Sequence, residues 1–167
     1  MTRLMTGLFA CCVGGFLAGQ AADSSPHGKA PQGKVEDAPL RLGKFSVSLA
    51  VKDLAKSREF YEKLGFKVTG GEPAQKWLLL QNDSATIGLF QGMFSKNMLT
   101  FVPGWDRNDQ PLPDFDDVRD IQKTLKSRGL AIKTEADEAS TGPASMVVVD
   151  PDGNPILLDQ YVPKPKK

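Results

Sequence analysis

The chain has 167 residues, a formal net charge of +1, 25% charged and 40% hydrophobic residues, the make-up of one ordinary globular domain whose core needs no staples. Lys and Arg number 21 against 20 Asp and Glu, so the charge excess of a nucleic-acid binder is missing. Both cysteines, Cys11 and Cys12, and the single His27 precede the part that patterns as folded, which excludes from it a disulfide, a thiolate nucleophile, a Cys-based metal site and any Ser-His-Asp or Cys-His arrangement.

Arg3 precedes Leu4–Ala18, which is apolar or small throughout, and small residues follow at Gly19 and Ala21. This layout predicts a secretory signal over residues 1–21, cleaved between Ala21 and Ala22. The run is short of the ~20 apolar residues that span a bilayer. An uncleaved anchor and a lipoprotein signal at Leu8-Phe9-Ala10-Cys11 are the weaker alternatives, the latter because Phe9 is bulky and the preceding run short. The expectation is export to the periplasm or the medium, no stable membrane association after cleavage, and loss of both cysteines. Residues 22–43 read as a flexible linker: Ser24, Ser25, three prolines, three glycines and no periodicity. His27 is expected to be solvated there.

Phe45–Val51 alternates at period two, large apolar against small, and predicts a half-buried strand. Asp53 caps a helix with Leu54, Phe60, Tyr61 and Leu64 on its inner face and Gly65 as its stop. Strands follow at Phe66–Val68, Trp77–Gln81 and Ala85–Gln91, separated by Gly70–Pro73 and Asn82–Ser84. The Trp77 strand reads as core throughout. The order then recurs: a strand at Met98–Val102, a helix capped by Asp117 with Val118, Ile121 and Leu125 inward and Gly129 as its stop, then strands at Leu130–Thr134, Ser145–Val149 and Pro155–Gln160. Asp53 to Gly65 and Asp117 to Gly129 are both twelve steps, and Ile87–Gln91 aligns with Ile156–Gln160. Such a repeat predicts two βαβββ modules, an α+β fold. The second module departs from the first by inserting Pro103–Asp114 before its helix cap, and loops of that length in compact domains are often functional. Trp105 in it is either an aromatic wall for a ligand or a buried plug. Residues 162–167 read as a basic, frayed tail.

The last two strands flank Asp150-Pro151-Asp152-Gly153-Asn154, a tight hairpin reversal. With Val51-Lys52-Asp53-Leu54 and Phe60-Tyr61-Glu62-Lys63-Leu64-Gly65-Phe66, this hairpin closely resembles the vicinal-oxygen-chelate superfamily: glyoxalase, bleomycin resistance protein and extradiol dioxygenase. The resemblance covers residues 44–161. It implies that the two modules curl their strands into one half-barrel cup, with metal ligands on the first and last strand of each. Those slots fall here on Ser46, Gly88, Met98 and Leu157, none a usual ligand. The family's glutamate position is Leu157. The expectation is therefore no metal and no cofactor.

Alternation tests the slots independently. Their strand neighbours Phe45, Val47, Ile87, Leu89, Leu99, Phe101, Ile156 and Leu158 are apolar and are expected to face the helices. The other face then offers Ser46, Ser48, Phe90, Met98, Thr100, Leu157 and Asp159, with Trp105 at its edge, a lining suited to a small organic ligand. Asp159 is expected at the rim, hydrated or bonded to a loop amide. Three functions stay open: a metal-independent binding protein of the bleomycin-resistance type, holding a small molecule in the cup or at a homodimer interface; a glyoxalase- or dioxygenase-like enzyme with displaced ligands; and a structural domain with a filled cup.

Overall fold

The computed structural model describes residues 39–166. The expected signal segment, both cysteines, His27 and residues 22–38 of the expected linker lie outside the described residues. The elements are β1 (Lys44–Val51), α1 (Leu54–Lys63), β2 (Lys67–Glu72), β3 (Trp77–Asn82), β4 (Ala85–Gln91), β5 (Met98–Val102), α2 (Val118–Ser127), β6 (Ile132–Thr134), β7 (Ala144–Val149) and β8 (Pro155–Gln160). Their order is βαβββ twice. The largest boundary difference is in β2, which runs on through Gly70 and Gly71, where a turn was expected, because a bulge between Val68 and Gly70 re-registers it against β3; β6 begins at Ile132 rather than Leu130. Gly71 allows this, since a Cβ there would lie 2.6 Å from the Leu78 Cα.

Each helix starts on an aspartate whose carboxylate accepts a backbone N–H of the first turn, Lys56 at 3.1 Å for Asp53 and Arg119 at 3.0 Å for Asp117. The glutamines that close the two halves of the repeat have one shared use. Gln91 Oε1 accepts the Leu54 N–H at 2.9 Å and Gln160 Oε1 accepts the Val118 N–H at 2.8 Å. The last strand of each module thus satisfies an orphan donor of its own helix, which fixes that helix against the sheet.

The strands form one open sheet of eight, ordered β2-β3-β4-β1-β5-β8-β7-β6. β1 runs parallel to β4 and β5 parallel to β8, while the antiparallel β1–β5 pair joins the modules. Each module has its own core. Leu78, Leu80, Ile87 and Leu89 bury against Leu54 in the first; Met146, Val148 and Leu158 bury against Val118 and Ile121 in the second. Each such side chain contributes on the order of 1.5–3 kcal/mol of burial.

Because α1 packs chiefly on β3 and β4 and α2 on β7 and β8, the central pair β1–β5 is only partly covered: Leu49 and Val51 reach the first core and Phe101 the second, and the rest of that pair is left open. Two expectations fail there. Phe45 and Leu99, expected in the core, are 49% and 36% exposed. Phe60 and Leu64, expected on the inner face of α1, are exposed too, and Phe60 meets Tyr61 edge-on at 5.2 Å. At the domain's start, Leu40 and Leu42 pack on the second core, and Arg41 between them binds Asp114 at 2.7 Å and Asp116 at 2.9 Å. The folded body therefore reaches back before Lys44, into the stretch expected to be linker. At the other end the Lys164 N–H bonds the Thr141 carbonyl at 2.9 Å, so the expected frayed tail is tied down there.

Candidate ligand-binding site

The face of the sheet turned away from the helices is where strand alternation leaves small and polar side chains. The registers bring them together: Ser46 opposite Thr100, Ser48 opposite both Met98 and Gly88, Ala50 opposite Phe90, and Thr100 opposite Leu157. Ser48 and Thr100 are buried, and their hydroxyls meet at 2.8 Å, so the polar floor satisfies itself. Above it opens a cavity of about 510 Å³. Ser48, Phe90, Met98, Thr100, Leu157 and Asp159 line it, as alternation predicts.

Ser46 and Trp105 stand elsewhere. They line a smaller neighbouring pocket of about 180 Å³, with Lys44, Thr86 and Asp109; Leu79 and Tyr161 border both spaces. The inserted loop builds this pocket. Leu112 N–H bonds the Gly104 carbonyl at 2.8 Å, Asp106 N–H bonds the Gln110 carbonyl at 2.9 Å, and a bridge joins Trp105 to Pro111. The loop is fixed to the sheet where the Lys44 N–H meets the Trp105 carbonyl at 3.0 Å and where the Asp109 carboxylate takes the buried Lys44 ammonium and, at 2.7 Å, the Gln81 amide. Trp105 is half-buried rather than a core plug, and its indole N–H has no hydrogen-bond partner among the described residues.

The larger cavity also takes side chains that alternation did not assign to it. Trp77, expected in the core, faces the cup and lies parallel to Phe90, with centroids 6.2 Å apart and 9° between planes. Phe94 continues that wall, 5.2 Å from Phe90, and Met93 stands beside it. Trp77-Leu78-Leu79-Leu80 is apolar on both faces, so the pattern offers no contrast from which to tell cup from core. Phe94 and Met93 lie on an aperiodic connection between the modules, and Tyr161 lies one residue past β8, beyond the reach of any strand rule.

Asp159, expected at the rim, lines the larger cavity. It is half-buried in the cavity, and burial raises its carboxyl above the ordinary range, partly offset by the neighbouring Tyr161 side chain. Tyr161 is itself pushed up, first by burial of its hydroxyl end and then by the Asp159 and Asp109 charges, so it stays a donor. No described lysine or arginine makes an ion pair with Asp159, in contrast to Asp109, Asp114, Asp116 and Asp117.

The geometry at the four metal slots that the fold implies does not suit a metal ion. Ser46 is buried in the smaller pocket, Met98 and Leu157 are weak or non-donors, and Gly88 carries no side chain. A Cβ at Gly88 would sit 2.4 Å from the Phe90 ring. The space of a ligand at that slot is thus taken by an aromatic ring. Among the described residues no group of three His, Cys, Asp or Glu could hold a metal ion. These residues do not fit a resident metal of the usual kind.

The model of the Glyoxalase/Bleomycin resistance protein/Dioxygenase superfamily matches residues 44–158. Among solved structures, an NAD-dependent benzaldehyde dehydrogenase from Legionella pneumophila is 19% identical with a TM-score of 0.52, covering 70% of this chain and 98% of that one. A glyoxalase/bleomycin resistance protein/dioxygenase superfamily member from Vibrio splendidus 12B01 is 18% identical with a TM-score of 0.51, covering 71% and 98%. At these identities the likeness shows the fold. No curated protein matches the sequence.

Proposed function

This chain belongs to the glyoxalase/bleomycin resistance protein/dioxygenase superfamily, and from that premise we propose that it binds a small organic molecule in its cup without a metal ion, in the manner the bleomycin-resistance name suggests. The observation that carries this reading is the Phe90 ring lying over Gly88. It removes a metal slot and, in the same stroke, gives the cavity an aromatic wall. A cavity of about 510 Å³ lies within the usual range of small-molecule sites, ~300–1,000 Å³, and its mixture of apolar walls with a few hydroxyls and one carboxyl is what such sites use to fix orientation. A filled, purely structural cup would leave no such space.

The reading is tested by a thermal-shift screen of small aromatic and heteroaromatic compounds, run before and after exhaustive dialysis against a chelator. Hits whose shift is unchanged by the chelator and abolished by Phe90→Ala support it. Zinc, nickel, iron or manganese retained at one equivalent per chain through dialysis, and needed for the shift, would sink it.

A further inference from the structure

The reading of the cup as a binding site leaves open what chemistry it accepts, and the charges on its walls bear on that. Asp159 is the one carboxylate or cationic group lining the larger cavity. The buried cation Lys44 lines the smaller pocket and is already paired with Asp109. Asp159 has the neighbouring Tyr161 side chain and no basic partner in the ion pairs among the described residues. A half-buried carboxylate on a largely apolar wall with no cation paired to it is under-compensated, and a bound cation is the partner that restores the balance. The remaining wall favours the same sign. Trp77 and Phe90 line the cavity as a parallel-stacked aromatic pair, and Phe94, Met93 and Met98 extend that wall with a further ring and polarisable sulfur. Aromatic faces attract cations and repel anions, most strongly where water is excluded.

We propose that the cup selects an organic cation with a flat apolar body, its charged end against Asp159 and its body against Trp77, Phe90 and Phe94; this rests on the cup being a binding site at all. An anionic ligand would place like charge on Asp159 with no cation to mediate. A neutral ligand would leave the carboxylate as poorly compensated as before. The raised carboxyl of Asp159 fits this assignment, because a cation arriving beside it stabilises the ionised form.

The test compares benzyltrimethylammonium, benzyl alcohol and benzoate, which share a ring and differ in charge, by isothermal titration calorimetry on the full chain. The cation is expected to bind about tenfold or more tightly than the alcohol, with benzoate weakest. Asp159→Asn, close in shape to the parent and checked by its melting curve, should remove that preference while leaving the alcohol unchanged. Trp77→Leu should weaken the cation more than the alcohol. If the alcohol binds as tightly as the cation, or if Asp159→Asn keeps the preference, the charge assignment is overturned and the cup stands as a binding site of another specificity. If no probe binds and the screen of the preceding section also yields nothing, both readings fall together.

Discussion

Arg119 and Asp117 stand at the first turn of α2 with 0% and 2% of their surface exposed, a position where charge survives only if fully met. It is met. The guanidinium donates to the Asp117 carboxylate at 3.1 Å, to the Ser140 hydroxyl at 2.6 Å and to the Gly142 carbonyl at 2.7 Å, and the Gln160 amide donates to Asp117 at 2.9 Å. Burial alone would raise the Asp117 carboxyl, but these donors hold it below the ordinary range. Arg119→Met strands the carboxylate and is expected to cost ~3–5 kcal/mol, read as a fall in the urea midpoint. Asp159 is the opposite case. Its folded pKa lies above the unfolded one, so the protein loses stability as pH rises from the unfolded value, ~3.9, through the folded one. Asp159→Asn is therefore expected to raise the melting temperature at neutral pH, with the gain fading below about pH 4. A gain equal at every pH would mean that the carboxyl titrates alike in both states.

At the scale of elements, β3 divides its side chains between two jobs. Leu78 and Leu80 bury under α1, while Trp77 and Leu79 look into the cavity. Leu80→Ala should cost about 2–5 kcal/mol, because it opens a void in a packed core. Trp77→Ala removes more atoms and should cost less, because one face of the indole already borders open space; its larger effect should be on ligand affinity. Paired urea melts separate the two, and equal midpoint losses would place Trp77 in the core after all. The inserted loop belongs to the same scale. Its length was visible in the chain, and its attachment was not, because Lys44, Gln81 and Asp109 are brought together from three places in the sequence. Nothing local marks Lys44 as a buried lysine.

At the scale of the molecule, two modules with separate cores meet along the β1–β5 seam, in the cup built across it and where the inserted loop reaches back to Lys44 and Gln81. Energetic independence should follow. Leu89→Ala in the first core and Leu158→Ala in the second touch no common cluster, so their costs are expected to add to within ~0.5 kcal/mol. A coupling well above that in a double-mutant cycle would show the seam transmitting packing changes from one core to the other. The seam also explains the exposed Phe45 and Leu99, since the helices pack chiefly on the outer strands of their own modules and leave these two positions uncovered.

The sequence by itself determined the local and periodic things. Period-two strands, Asp caps, glycine stops, the hairpin and the repeat each depend on neighbours a few positions away, and the repeat placed equivalent residues such as Gln91 and Gln160 in equivalent positions. It also determined that Ser46, Gly88, Met98 and Leu157 are poor metal ligands, because that is a matter of side-chain chemistry alone. Tertiary structure decided which of two apolar faces is covered, as at Trp77 and Phe45, since alternation distinguishes faces but not what packs on them. It decided that Phe90 folds over Gly88, that Lys44 is buried against Asp109, and that Asp159 opens into a cavity without a basic partner. Each of these depends on groups distant in the chain meeting in space, and no spacing rule carries that information.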